Sequence, residues 1–174
     1  IENLLSYSEW QAKRGALEIT ELSLPTTVRG AIETYQLPIN AHRLTLVQQV
    51  DDVSFHADRA KLRLILDNLV SNAVKFTPDG GTITVRGRRE GDDVVIDVAD
   101  TGPGVPPDER TRIFDAFYQG ATPQGGLVRG TGIGLSVVQE FVQAHGGTIE
   151  LVDGEFPGAH FRVRLPAVSA AAVT

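Results

Sequence analysis

Two asparagines one helical turn apart, Asn68 and Asn72, lie in the stretch from Asp58 to Phe76. On a helix they share a side with Lys61 and Lys75, at steps of seven, four and three residues. Asparagine inside a helix costs up to ~0.7 kcal/mol relative to alanine, so a pair of them needs a reason. One reason is a solvated polar face. The other is chemical: an amide oxygen ligates a hard cation such as Mg²⁺ without adding charge, and a lysine one turn on can meet phosphate. Asn72, beside the small Ala73, is the stronger candidate.

A carboxylate ends an apolar strand face further along, where Val94, Ile96, Val98 and Asp100 point the same way. A buried acid needs donors. The turn Thr101-Gly102-Pro103-Gly104 can supply backbone N–H groups, and so can a ligand such as the exocyclic amine of adenine, which Gly102 and Gly104 would let close to the backbone. Gly130-Thr131-Gly132-Ile133-Gly134-Leu135 runs into a helix, where N–H groups and the helix dipole favour phosphate, though alone it reads equally as a flexible loop. No Gly-Lys-Ser/Thr follows it, and its spacing is not the dinucleotide fingerprint. Phe114 and Phe117 share a helical face, for core packing or for control of the neighbouring glycine segment. His42, His56, His145 and His160 lack zinc-type spacing, and no cysteine or G-x-S-x-G nucleophile supports acyl transfer.

The elements that must carry these groups can be read from periodicity and punctuation. A helix starts at Pro25 and stops near Leu37 and Pro38, Arg43 to Val50 alternates as a strand, and Asp58 caps a long helix, Arg59 to Phe76. Pro78-Asp79-Gly80-Gly81 turns the chain into a hairpin of Thr82 to Arg89 and Asp93 to Asp100. A short helix from Asp108 to about Tyr118 and a mobile segment from Gln119 to Gly134 lead to a helix over Ile133 to His145. Strands Thr148 to Val152 and Ala159 to Leu165 finish the order. Helices between hairpin strands predict an α+β, two-layer sandwich, with helices on one face of a mixed, mostly antiparallel sheet. The domain spans 17–168, after an imported helix end and linker at 1–16 and before a frayed tail at 169–174.

The 174 residues suffice for one core without a staple, and there is no cysteine to make one. Twenty-two acidic against 16 basic residues give a net charge of -6, which argues against a nucleic-acid or anionic-membrane partner held by bulk electrostatics. No apolar run approaches the roughly 18 residues of a membrane span. The chain opens at Ile1 without any methionine and reads as a segment of a longer protein. Its arginines are scattered and read as coding bias.

Taken in order, Asn68-Leu69-Val70-Ser71-Asn72-Ala73-Val74-Lys75-Phe76-Thr77, Asp100-Thr101-Gly102-Pro103-Gly104, Ile113-Phe114-Asp115-Ala116-Phe117 and Gly130-Thr131-Gly132-Ile133-Gly134-Leu135 closely resemble the N, G1, F and G2 boxes of sensor histidine kinases. The resemblance covers about Leu22 to Pro166 and implies the catalytic and ATP-binding domain with the Bergerat fold. It implies ATP and Mg²⁺ as ligands: Asn72 on the metal with Asn68 assisting, Lys75 near phosphate, Phe76 against adenine, and Asp100 on the adenine amine beside Gly102 and Gly104. The G2 residues Gly130, Thr131, Gly132, Ile133, Gly134 and Leu135 would anchor a lid, with Arg129 beside them on phosphate or on the lid surface. His160 stands where many members carry threonine.

None of the four histidines is followed by glutamate, so the phospho-accepting histidine is expected upstream, on a dimerisation hairpin whose end is Ile1 to Trp10. The resemblance further implies a response-regulator receiver domain as partner, a homodimeric parent, and a cytoplasmic domain of a protein anchored in the inner membrane. Related ATPases carry a glutamate four residues before the magnesium asparagine; here that slot is Asn68, and an amide is no general base. A GHKL-type ATPase and a non-catalytic interaction module that kept the fold are the alternatives.

Overall fold

The computed structural model describes residues 16–110, 112–114 and 134–168. Alternation builds its sheet. Along β4 (Thr82–Glu90) and β5 (Asp93–Asp100), Ile83, Val85, Val94, Ile96 and Val98 enter one buried apolar core, while Val95, Asp97 and Ala99 point to the other side. The two strands form the predicted hairpin, with Glu90 opposite Asp93 and Gly91 at φ +60° in the turn. β7 (His160–Pro166) pairs antiparallel with β5, β6 (Thr148–Leu151) antiparallel with β7, and β2 (Thr45–Val50) parallel with β4. The order is therefore β2-β4-β5-β7-β6.

Helices α1 (Leu24–Thr34), α3 (Arg59–Phe76) and α4 (Gly134–Ala144) supply Val28, Leu62, Leu66, Leu69, Val138 and Phe141 to the same core, so the α+β sandwich expected from the sequence is what forms. Asp58 caps α3 as expected: one carboxylate oxygen accepts from Lys61 N at 3.0 Å and the other from Glu18 N at 2.8 Å. The cap is itself buried, and its own N–H donates to His145 Nε2 at 3.0 Å, which joins the start of α3 to the end of α4.

Three local expectations change. The helix begun at Ser23 ends at Thr34, and a separate short helix α2 (Gln36–Ala41) contains Pro38. Proline there lies in the first turn, where its missing N–H has no intrahelical partner to lose. Two short strands, β1 (Ile19–Ser23) and β3 (Ser54–Asp58), pair antiparallel in a ribbon that the sequence reading lacks, and His56 N–H ties it to Ala167 O. The expected helix from Asp108 shows as successive turns over its described residues, with Glu109 N donating to Pro106 O and Ile113 N to Glu109 O. Pro106 and Pro107 remove two donors from its start.

Candidate functional site

Between α3, the end of β5 and the start of α4 lies a cavity of about 330 Å³. Its walls are largely apolar: Leu69, Ala73 and Phe76 from α3, Val98 from β5, Leu135 from α4 and Phe161 from β7. Asn72 and Asp100 bring polar groups to it, and Pro103, Gly104, Val105, Pro106 and Glu109 close one side. The structure thus brings Asn72, Phe76, Asp100, Gly104 and Leu135 to one space from positions far apart in the chain.

Asp100 is only 5% exposed. Its Oδ1 accepts from Gly102 N at 2.8 Å and from Ala159 N at 3.2 Å, and no hydrogen bond from the described residues reaches Oδ2. Turn-capping and ligand-binding therefore need not compete, because each can use its own oxygen. Burial pushes the carboxyl pKa up, and the two backbone N–H groups offset part of that rise. Close backbone approach is what permits this geometry: a Cβ on Gly102 would lie 2.6 Å from Phe76 O, and one on Gly158 would lie 2.2 Å from Asp100 Oδ1.

The helix residues divide. Asn72 is half-buried on the cavity wall. Asn68 is buried one turn away and does not line the cavity: its Nδ2 donates to Leu64 O at 2.8 Å, and a Cβ on Gly134 would fall 2.7 Å from its Oδ1. Lys75 also lies off the wall, with its ammonium 5.1 Å from the Phe76 ring centroid and its pKa lowered by burial. Gly102 packs behind Asp100, and Gly134 opens α4. Arg129, Gly130, Thr131, Gly132 and Ile133 lie outside the described residues, as do the segment to Gln119, Phe117, residues 1–15 and the tail at 169–174. Phe114 packs edge-on to Phe161 at 6.4 Å, which favours its core role.

Sequence reasoning missed Glu109, Ala159 and Phe161, which come to the cavity through strand pairing and a turn rather than through any motif spacing. It also missed a cluster behind the sheet. Asp97, fully buried, accepts from Arg162 Nε at 2.8 Å, Arg88 Nη1 at 2.7 Å and His160 Nε2 at 2.9 Å, with Arg86 Nη2 at 3.4 Å. Burial raises its pKa, but those hydrogen bonds outweigh burial and hold it down at about 2. Arg86, Arg88 and Arg162 are therefore gathered around one carboxylate rather than scattered, and His160 faces away from the cavity. The signal for it was the period-two spacing of Arg86 and Arg88 and of Arg162 and Arg164 on two strands that flank β5.

Residues 57–169 match the family described as histidine kinase-, DNA gyrase B-, and HSP90-like ATPase. The chain belongs to this family, as a histidine kinase catalytic domain. The domain is 34% identical over 166 residues to sensor histidine kinase GlrK of Escherichia coli (strain K12), covering 95% of this chain and 35% of that protein. It is 44% identical over 168 residues to sensor histidine kinase TmoS of Ectopseudomonas mendocina, covering 95% of this chain and 17% of that protein. The chain thus spans about a third or less of these relatives. Among solved structures, the nucleotide-free catalytic domain of histidine kinase ThkA superposes with a TM-score of 0.77 at 26% identity, covering 87% of this chain and 97% of that one. Full-length ShkA in complex with AMPPNP gives 0.76 at 32% identity, covering 89% of this chain and 32% of that one. Among the described residues no helix is long and apolar enough to cross a membrane.

Proposed function

We propose that the cavity takes the purine of ATP and that the domain passes the γ-phosphoryl group to a histidine on an upstream helical hairpin. The observation that carries this is Asp100: one oxygen is fixed by two backbone N–H groups, the other has no donor among the described residues, and the surrounding walls are apolar and aromatic. An adenine fits that pattern, with its ring between Phe76 and the aliphatic wall and its amine donating to Oδ2. The ShkA structure with AMPPNP supports a nucleotide in this fold.

Asn72 suits Mg²⁺ that comes with the triphosphate, since this ion keeps waters and substrate oxygens and asks few ligands of the protein. Bound there, Mg²⁺ would neutralise phosphate charge. Asn68 takes the assisting place by supporting the start of α4 beside Asn72, because its Nδ2 already serves Leu64. Lys75, whose burial favours the neutral form, gains from a phosphate partner at the mouth of the site. In the transfer, an imidazole nitrogen of the upstream histidine attacks the γ-phosphorus in line as the bond to the β-phosphate oxygen breaks, and ADP leaves. The domain's part is positioning and charge neutralisation. No carboxylate stands in the Asn68 slot to activate water, so hydrolysis by the chain alone is slow. The G2 segment with Arg129 serves as lid, the receiver domain of a response regulator takes the phosphoryl group next, and the parent is a homodimer anchored in the inner membrane.

Mixing the chain and Mg-ATP with a separate polypeptide carrying the upstream hairpin tests the reading. An acid-labile phosphohistidine on that hairpin is the expected product. Steady phosphate release by the chain alone, with no labelled hairpin, would instead favour the ATPase alternative.

A further inference from the structure

The connection between β6 and β7, residues 152–159, holds Asp100 from the side. Gly158 N donates to Asp100 O at 3.1 Å, Asp100 N donates to Ala159 O at 3.0 Å, and Ala159 N donates to Asp100 Oδ1 at 3.2 Å. Gly158 lies so close that any side chain there would strike the carboxylate. The direction in which Asp100 presents Oδ2 therefore depends on where this connection sits.

Two carboxylates on the connection, two residues apart, reach in different directions. Asp153 forms a bidentate pair with Arg110, Oδ1 to Nη2 at 2.6 Å and Oδ2 to Nη1 at 2.8 Å. Arg110 follows Pro106 and Glu109, so this pair ties the connection to the segment that closes the cavity. Glu155 forms a second bidentate pair with Arg86 of β4, Oε1 to Nη2 at 2.9 Å and Oε2 to Nη1 at 2.5 Å. Arg86 also stacks on Phe156, 5.3 Å from its ring centroid, and reaches toward Asp97, while Phe156 stands edge-on to His160 at 5.1 Å. Glu155 thus anchors the connection to the buried cluster behind the sheet. Pairs this exposed contribute little to global stability one by one, but a bidentate fork fixes orientation.

We propose that Asp153–Arg110 and Glu155–Arg86 are positioning pairs for Asp100, setting how strongly the site distinguishes a 6-amino purine from one without the amine. The inference rests on Asp100 as the partner of that amine. With the connection held, Ala159 N–H locks the carboxylate plane and Oδ2 meets a ligand donor in line. With it loosened, the carboxylate turns and hydrates, and the donor gains less.

The test measures by calorimetry, at fixed Mg²⁺, the affinity of the 174-residue chain for ATP and for purine riboside triphosphate, which has hydrogen in place of the amine. The unaltered chain should prefer ATP by about tenfold, the scale of one well-made hydrogen bond to a charged acceptor. In Asp153→Ala with Glu155→Ala, that preference should fall to roughly two- or threefold while the affinity for the amine-less nucleotide holds, as expected when one hydrogen bond is weakened. Exchanging Arg110→Asp and Asp153→Arg together should restore the preference lost in Asp153→Ala. Equal weakening of both nucleotides, or an unchanged preference in Asp153→Ala with Glu155→Ala, would overturn the proposal. An unaltered chain that does not distinguish the two nucleotides would instead overturn the reading of Asp100 itself.

Discussion

Asp100 has one oxygen fixed by backbone N–H groups and the other open to the proposed purine amine, and its protonation follows from where it sits. Burial raises its pKa, so it takes up a proton at a pH above the usual carboxylate range near 3.9. A carboxyl whose folded pKa is raised binds its proton more tightly folded than unfolded, so its contribution to stability improves as pH falls through the folded value. Nucleotide binding as proposed would run the other way, because a protonated Oδ2 no longer accepts from the amine. Affinity for Mg-ATP should therefore decline on acidification from neutrality, before ordinary carboxylates titrate, and Asp100→Ala should be about tenfold or more weaker and lack that part of the decline. Calorimetry across pH checks both, and parallel profiles for the two proteins would contradict the assignment. Asp100 was legible in the sequence because Val94, Ile96 and Val98 place it on the inner side of its strand. Ala159 was not, since strand pairing brings it from 59 residues away with a backbone N–H that any residue type could supply.

In the proposed reading helix α3 is the element that would relate metal, phosphate and base. Its bounds could be read from local signals, Asp58 at the cap and Pro78 after the end, and its apolar stripe from spacing. The division between Asn68 and Asn72 could not, because it depends on α4 packing over one amide and leaving the other on the cavity wall. Asn72→Ala should abolish most of the magnesium dependence of ATP binding while leaving the affinity for adenosine unchanged, and an unaltered magnesium dependence would remove the metal from Asn72. The β1–β3 ribbon stayed illegible for a related reason. Each strand is five residues long, and the partner of each lies beyond α1, α2 and β2 in the chain. The break between α1 and α2 likewise turns on Pro38 being acceptable at a helix start, where the sequence alone suggests a stop.

At the scale of the whole molecule the sheet has two working sides, a cavity between its inner side and the helices and the Asp97 cluster behind. The α+β order was legible because hairpin and helix signals alternate, but the rear cluster emerges only when β4, β5 and β7 are side by side. Asp97 has a folded pKa of about 2, below its ordinary value, so its stabilising share is present above the unfolded pKa and is lost as pH falls through the folded one. Arg162→Ala removes one of its donors and should cost ~1–3 kcal/mol at neutral pH. The gap between the two urea midpoints should close as pH drops from about 4 toward 2. A gap that is constant through that window would place the effect of Arg162 elsewhere. The central claim, a purine held by Asp100, is tested most directly by a crystal structure of the chain with Mg²⁺ and a non-hydrolysable ATP analogue. The purine should lie between Phe76 and the α3–β5 wall, with its exocyclic nitrogen within roughly 3.2 Å of Asp100 Oδ2. A nucleotide bound elsewhere, or one whose amine faces solvent, would contradict it.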